Sequence, residues 1–196
     1  MKRVVRIASW ASLPPGSEAD VSFVPPLQRR RLSPLQRLFF SLARSVGAEP
    51  PVSVVFSSRD GEDTLTRRIV GEFNESGSVS PNRFSSSVYN AAPGLWSVVT
   101  GNRSPYTAVA AGDDSVECGL IELLSAPPPA ALVYAEETGG GYGAAVRIAP
   151  EGAEGRAVSV GAGDPARPPV GFDALTGFLS GASPSLEGRW LSLADA

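Results

Sequence analysis

The feature that most constrains the fold is a pair of short apolar runs with an amphipathic stretch between them. Residues 106–111 and 131–135 are rich in small and β-branched residues, which predicts two strands covered on both faces. The turn at residues 112–115 leads into a stripe with helical spacing: Val116, Leu120, Leu123 and Leu124. A strand, a helix and a strand in this order predict a right-handed crossover between parallel strands.

The rest of the chain continues the alternation. Further strands are predicted at residues 4–9, 52–56 and 144–148, with a less marked one at 157–160. Helices are predicted at 34–46, at about 63–73, before Gly101 and at 172–179, whereas 11–26 is predicted to be a loop and 182–196 has little pattern. In the helix at 63–73 we expect four side chains to face inward: Leu65, Ile69, Val70 and Phe73. The sequence therefore predicts an α/β fold with a mostly parallel five-stranded sheet and helices on both faces.

Composition excludes several kinds of chemistry. The 196 residues include no histidine and one cysteine, and the formal net charge is −3. Histidine-dependent serine triads and histidine metal sites are excluded, as is an internal disulfide. The small charge gives no electrostatic reason to expect nucleic acid or an anionic membrane as a partner. No apolar run approaches the ~20 residues that span a bilayer, so we expect a cytoplasmic protein. We also expect no cofactor.

Two side chains near the start of the central helix are candidate nucleophiles. Cys118 falls five residues into the helix, beyond the turn, and is interpreted as a small apolar residue. Asp113 is interpreted as a helix cap that performs no covalent catalysis. Together with Asp114 and Glu117 it forms an acidic cluster, which is interpreted as exposed caps rather than a metal site.

An ordered series of motifs resembles a known family. The order is Asn90, then Pro93-Gly94, Gly101, Arg103 and Pro105, followed by the strand and the turn. It resembles the β-ketoacyl synthases of the thiolase superfamily, in which this turn carries the catalytic cysteine; the matching position here is Asp113. Residues 30–34 and 80–85 also resemble a short β-ketoacyl synthase-like N-terminal domain of aryl polyene and related clusters, a group similar to chain-length factors. The resemblance covers most of residues 25–150.

The resemblance implies a fold and a function. It implies half of a thiolase-like fold, in a single domain of residues 1–196 whose core is about 1–150 and whose extension is 151–196. It implies a subunit that is inactive alone, because the catalytic cysteine and every histidine are missing. Such a subunit would pair with an active ketosynthase, or with itself, and limit product length in fatty acid or polyketide-type (aryl polyene) biosynthesis. The strand at 106–111 would then lie at the dimer interface.

The resemblance also suggests site residues. Six residues would line an interface or an acyl tunnel: Asn90, Leu95, Trp96, Val99, Tyr106 and Val109. Four arginines form either a solvated surface or a docking point for an acyl carrier protein: Arg29, Arg30, Arg31 and Arg37. The alternatives are an autonomous acyltransferase that uses Cys118 or Asp113, and an acyl-chain-binding module. A half-fold would expose an apolar sheet face unless residues 150–196 or a partner cover it.

Overall fold

The computed structural model describes residues 3–150 and 152–196. In chain order its helices and strands are β1 (Arg3–Leu13), α1 (Pro26–Arg29), α2 (Pro34–Ser45), β2 (Ser53–Ser57), α3 (Asp63–Ser76), α4 (Pro81–Ser87), α5 (Ala91–Thr100), β3 (Tyr106–Val109), α6 (Ser115–Ser125), β4 (Ala130–Glu136), β5 (Tyr142–Ile148), β6 (Arg156–Ala162), α7 (Phe172–Leu179), β7 (Ser185–Glu187) and β8 (Leu191–Asp195).

Among the described residues, eight strands form one mixed sheet in the order β3-β2-β4-β5-β1-β6-β8-β7. Only β2 pairs in parallel, with β3 on one side and β4 on the other. All the other pairs are antiparallel. The prediction of a mostly parallel five-stranded sheet is therefore wrong. The turn at 139–141 joins β4 to β5 as a hairpin rather than a crossover, and the hairpin between β7 and β8 adds antiparallel strands at the other end.

Helices cover both faces of the sheet, as predicted. On one face, α2 and α5 enclose an aromatic cluster that includes Phe39, Phe40 and Trp96. On the other face, α6 and α7 pack on the sheet through Leu123 and Phe178, among others. Both layers bury side chains almost completely, which is the largest source of stability in a fold of this type.

Helix α2 begins and ends where its sequence predicts. Ser33 Oγ accepts the N–H of Gln36 at 3.0 Å, and Gln36 Oε1 accepts the N–H of Ser33 at 3.2 Å, which makes a capping box. The apolar side chains at helical spacing in residues 34–46 are buried: Leu35, Leu38, Phe39, Leu42 and Val46.

The tail is more ordered than its pattern indicated. The predicted strand at 157–160 lies within β6 and the predicted helix at 172–179 is α7, but strands β7 and β8 were not predicted. Leu175 and Phe178 of α7 are buried against the sheet face that a half-fold would expose, so the tail covers that face. Leu191 of β8 is buried, whereas Trp190 is 55% exposed.

Two predictions of burial, one for α3 and one for β3, are wrong. In α3, Ile69 is buried but Val70 and Phe73 are 52% and 56% exposed. Strand β3 is not covered on both faces, because it is the outermost strand and Tyr106 is 41% exposed. Both errors have the same physical cause. An apolar pattern identifies an apolar face of a helix or strand, but it does not show whether another part of the chain packs against that face.

Within the described ranges, no helix is both long and apolar enough to cross a membrane.

The predicted strand at 4–9 is longer than expected, because β1 continues through residues that were predicted to be loop.

Candidate functional site

Asp113 lies where the resemblance placed it, at a bend between a strand and a helix. It belongs to a short 3₁₀ turn, Gly112–Asp114, which connects β3 to α6 at the carboxyl end of the parallel strands. Open α/β sheets place their ligands at this end. The position is therefore the natural candidate for a reactive group.

The Asp113 side chain is 77% exposed, and its Oδ1 lies 3.7 Å from Nη1 of Arg59. It does not cap α6, so that prediction is wrong: the residue before the helix is Asp114, and the start of α6 has no side-chain cap. Ser115 closes the bend instead, because its Oγ accepts the N–H of Ala111 at 3.1 Å and donates to the carbonyl of Gly112 at 2.7 Å.

Hydroxyl groups tie the ends of the parallel strands together. Ser57 Oγ donates to the carbonyl of Ser115 at 2.6 Å. Tyr89 Oη lies 2.9 Å from the carbonyl of Val109 and also hydrogen bonds to the carbonyl of Ser58. Burial raises the pKa of Tyr89 to about 12, so the phenol stays neutral and acts as a donor. These bonds fix the backbone around Asp113.

A buried carboxylate stands at the end of β4. Glu136 is fully buried and accepts Ser58 Oγ at 3.0 Å, the N–H of Asp60 at 3.2 Å and the N–H of Arg59. Burial raises the pKa of its carboxyl. Sequence analysis missed this residue, although an acid at the end of an apolar strand is itself a signal of a buried acceptor. Its role is to hold the turn after β2.

Glu117 also departs from prediction, because it is fully buried rather than an exposed cap. Its carboxylate accepts the backbone N–H groups of Arg189, Trp190 and Leu191. Asp114 faces Arg189, with 3.4 Å between Oδ2 and Nη1. The carboxylates of the acidic cluster therefore bind or face groups of the same chain. No group of three or more metal-ligating side chains occurs in the part of the chain that the structure describes.

Cys118 is half-buried on α6. Burial raises the pKa of its thiol, and the neighbouring carboxylates of Asp114 and Glu117 raise it further. The thiolate, which is the nucleophilic form, is therefore disfavoured. Since the sequence has no histidine to act as a base, the acyltransferase alternative through Cys118 is not favoured.

The six residues suggested for an interface or tunnel do not share one environment. Trp96 is 1% exposed and donates from Nε1 to the carbonyl of Ala48 at 3.1 Å, so it is a core residue and contributes no surface. Tyr106 and Asn90 are exposed, although Asn90, which precedes α5, makes no side-chain cap. The other three are half-buried: Leu95, Val99 and Val109.

The four predicted docking arginines divide into two pairs. Arg29 and Arg37 line a depression that also contains Glu18 and Asp20, and Arg37 Nη2 donates to the carbonyl of Arg29 at 2.8 Å. Arg30 and Arg31 face a different cavity, described here as the arginine cleft. The four side chains therefore do not form one basic patch.

The arginine cleft has a volume of about 560 Å³ and lies between the start of α2 and helices α3, α4 and α5. Arg68 and Arg83 also line it. Three leucines supply apolar surface: Leu32, Leu65 and Leu95.

The sequence matches the family model described as β-ketoacyl synthase, N-terminal domain, over residues 7–138. The match spans more than half of the chain, so the protein belongs to this family. No curated protein sequence matches it.

A similar fold occurs in a solved structure of the ketosynthase ApeO in complex with its chain length factor ApeC from Xenorhabdus doucetiae. One chain of that complex superposes with a TM-score of 0.75 at 19% sequence identity, over 98% of this chain and 98% of that chain. This likeness shows that the chain shares the α/β fold of that solved chain.

Proposed function

We propose that this protein is a non-catalytic ketosynthase-like subunit. It pairs with an active ketosynthase and limits the length of the product in a fatty acid or polyketide-type pathway, of which aryl polyene biosynthesis is the example. The observation that carries this proposal is the setting of Asp113: an exposed carboxylate lies at the bend between strand and helix, where the resemblance assigns the family's catalytic cysteine.

Chemistry supports inactivity. A carboxylate is a poor acceptor of an acyl group from a thioester, because the mixed anhydride that would form is high in energy. A decarboxylative condensation also needs a neutral donor near the thioester oxygen, a role that suits imidazole, and the sequence has none. The chain therefore depends on a partner for the reaction.

Exposed apolar side chains near the free edge of the sheet support pairing. Val98 of α5 is 73% exposed, Phe84 of α4 is 61% exposed and Tyr106 of β3 is 41% exposed. Helix α5 packs on β3, and α4 packs on α5, so the three elements that carry these residues adjoin one another. We call the three residues the β3-edge surface. Large exposed apolar side chains on adjoining elements are typical of protein–protein interfaces.

The backbone of β3 adds to this surface. The carbonyls of Pro105 and Val109 accept N–H groups of Val54 and Ser58, at the two ends of β2. Alternate residues of a strand point their backbone groups to opposite sides, so Tyr106 and Ala108 present theirs to the free edge. An outer strand of this type is a template for pairing with a strand of another chain.

The structural neighbour agrees with a subunit role, because it comes from a complex of a ketosynthase with its chain length factor. The proposal extends that arrangement to this chain. A second copy of the chain is the alternative occupant of the β3-edge surface.

An acyl carrier protein, which is acidic, is the second proposed partner. Among the described residues, none of the four arginines suggested for docking takes part in an ion pair, and Arg30 and Arg31 are the better candidates because they lie apart from Glu18 and Asp20. Arg29 and Arg37 lie beside acidic side chains that would repel such a partner.

Co-expression with a candidate ketosynthase that carries the cysteine and histidines tests the proposal. We expect a stable heterodimer in light-scattering chromatography and a product length that changes when this chain is omitted. Two independently migrating proteins, with the same activity and product length whether or not this chain is present, would refute it.

A further inference from the structure

Residues 62–88 leave the sheet after β2 and return before α5, and they contain helices α3 and α4. We call this segment the α3–α4 arm. Ile69 is the one buried residue of α3 and α4 has none, although the structure describes every residue of both helices. Helix α3 packs mainly on α4. Few buried apolar contacts are typical of a segment that opens separately from the rest of a fold.

The two ends of the arm meet at a fixed point. Gly61 has a left-handed backbone, with a φ of +61°, and a Cβ there would lie 2.9 Å from Cε2 of Tyr89. The N–H of Gly61 donates to Ser58 Oγ at 2.8 Å. Tyr89 Oη lies 2.9 Å from the carbonyl of Val109. The ends are therefore anchored while the helices between them are lightly packed, which is the arrangement of a hinged segment.

Glu62 joins the arm to α2. It is 4% exposed, and its Oε1 accepts Ser33 Oγ at 3.0 Å and Gln36 Nε2 at 2.8 Å. Gln36 Nε2 also donates to the carbonyl of Ser86 in α4, at 3.3 Å. One carboxyl therefore connects the start of α3 to the start of α2 and, through Gln36, to the end of α4.

A negative charge on Glu62 is unfavourable while the arm is closed. Its Oε2 is buried and has no partner among the described residues. The pKa of Glu62 is raised from 4.5 to about 7, chiefly by burial. Hydrogen bonds from Ser33 and Gln36 oppose this rise, and the neighbouring carboxylate of Glu137 adds to it. The carboxyl therefore changes between its protonated and ionised forms near neutral pH.

The charged groups on the α3 side of Glu62 are already paired with one another. Asp63 and Arg67 form an ion pair, with 2.7 Å between Oδ2 and Nε. Asp60 and Arg59 form another, with 3.0 Å between Oδ2 and Nη2. Neither arginine neutralises Glu62, because no described ion pair involves this carboxyl.

The other elements around Glu62 bring no compensating charge. After β4, Glu137 accepts the N–H of Thr64 and places a second carboxylate near the start of α3. The groups that α2 and α4 bring are a neutral hydroxyl, amide and carbonyl. Four arginines line the adjoining arginine cleft: Arg30, Arg31, Arg68 and Arg83. None of the four forms a described ion pair with Glu62.

We propose that Glu62 is a latch for the α3–α4 arm, which it holds on α2 while its carboxyl is protonated and releases when its carboxyl ionises. The ionised carboxylate reaches water when the arm opens, so loss of the proton stabilises the open form relative to the closed one. Opening displaces Phe84 of the β3-edge surface and Arg83 of the arginine cleft, so both surfaces change with pH. The inference concerns the free chain and does not depend on the subunit role proposed above.

Amide hydrogen exchange of the full chain between pH 5 and pH 8, corrected for intrinsic exchange rates, tests the latch. The amides of α3 and α4 should be at least about tenfold less protected than those of β4 at every pH, because the arm opens without the sheet. Their protection should fall about tenfold per pH unit up to about pH 7 and change little above it. Low concentrations of urea should hardly affect this exchange, because opening the arm exposes little surface.

Glu62→Gln should keep the arm closed, because glutamine retains an acceptor at Oε1 and cannot ionise. Exchange of the α3 and α4 amides should then stay at its low-pH level over the whole range. Glu75→Gln is the matched control, because it makes the same substitution at an exposed residue of α3, and it should retain the wild-type pH dependence. Glu137→Gln should let Glu62 ionise at a lower pH, because it removes a neighbouring negative charge.

A carbon-13 NMR titration of the Glu62 carboxyl in the wild type gives an independent readout if Glu62→Gln does not fold. We expect a midpoint of about 7, and a midpoint near 4.5 would overturn the proposal. Equal protection of the arm and β4 would show that the arm does not open separately. Protection that is independent of pH in the wild type, or the same pH dependence in Glu62→Gln and Glu75→Gln, would show that Glu62 is not the latch.

Discussion

The carboxylate of Glu117 accepts the backbone N–H of Leu191 at 2.8 Å, although the two residues are 74 positions apart in sequence. The same side chain also accepts the N–H groups of Arg189 and Trp190. One buried acid on α6 therefore holds the loop between β7 and β8. A glycine at position 188 makes room for this carboxylate, because a Cβ there would lie 2.4 Å from Glu117 Oε1 and clash with it.

Replacing this acid should destabilise the whole fold. Glu117→Ala leaves three backbone N–H groups without an acceptor, of which that of Leu191 is buried, at a cost of about 1–3 kcal/mol for each group that stays unsatisfied. We expect a loss of at least ~3 kcal/mol in the free energy of unfolding, measured by urea denaturation. Glu117→Gln should cost less, because one oxygen remains. Glu122→Ala on the same helix is the control and should change stability by less than about 0.5 kcal/mol. Similar values for Glu117→Ala and Glu122→Ala would contradict this assignment.

Two helical glycines should respond to alanine in opposite directions. A Cβ on Gly119 would meet Leu132 Cδ1 and Ser57 Cβ at 2.9 Å, because α6 lies close to the sheet there. Gly119→Ala should therefore cost about 1–3 kcal/mol. On α3, a Cβ on Gly71 meets nothing within 4 Å, so Gly71→Ala should stabilise by about 0.5–1 kcal/mol through helix propensity. Thermal unfolding of both variants tests the pair; a stabilising Gly119→Ala would be inconsistent with the packing.

Glu62 should make stability depend on pH. Its pKa is about 7 in the folded protein, against 4.5 as the ordinary value, so between these values the folded state binds more protons than the unfolded one. This contribution is complete below about pH 4.5 and is lost as the pH rises through 7. At 1.36 kcal/mol per pKa unit, it amounts to roughly 3–4 kcal/mol.

Comparison with Glu62→Gln isolates this effect from other titrating groups. Burial also raises the pKa of Glu136, which adds a trend of the same sign in both proteins. The variant should gain stability relative to the wild type between pH 5 and pH 8 in urea titrations. Parallel curves across that range would mean that Glu62 does not titrate there.

A charge on the β3-edge surface should prevent pairing without unfolding the chain. Val98 is 73% exposed, so Val98→Glu should leave stability nearly unchanged while weakening the complex with a ketosynthase at least tenfold. Val4→Glu is the matched control, because Val4 is 55% exposed on β1, four strands away from β3. Size-exclusion chromatography of the co-expressed proteins distinguishes them. Equal complex formation by both variants would place the interface elsewhere.

Local structure was largely predictable from the sequence. The Ser33 cap and the inward face of α2 follow from a capping motif and helical spacing, and both are present. The stripe on α6, from Val116 to Leu124, is buried as its spacing predicts. Whether strands pair in parallel or antiparallel was harder to predict, because an apolar run does not indicate which strand will lie beside it. The three glycines at 139–141 were a hairpin signal, and the alternation of Leu191 and Leu193 was a strand signal.

The candidate site was predicted in position but not in detail. Asp113 lies at the expected bend, because its place follows from the order of strand, turn and helix. The burial of Glu117 could not be predicted, because its partners are backbone N–H groups distant in sequence. For Glu136 the one signal was its place at the end of an apolar strand. The exposure of Val70 and Phe73 could not be predicted either, because an apolar pattern does not indicate which part of the chain covers it.

The position of β1 has a consequence for how the chain is made. This first strand pairs with β5 on one side and with β6 on the other, and β6 in turn pairs with β8. During synthesis, residues 3–13 have no strand to pair with until β5, which begins at residue 142, has left the ribosome. The pairs that β8 makes with β6 and β7 cannot be complete before residue 195 has been synthesised. Helix α2 and its cap can form early, whereas the sheet is complete only after residue 195 has been synthesised, as expected for a topology dominated by long-range pairs.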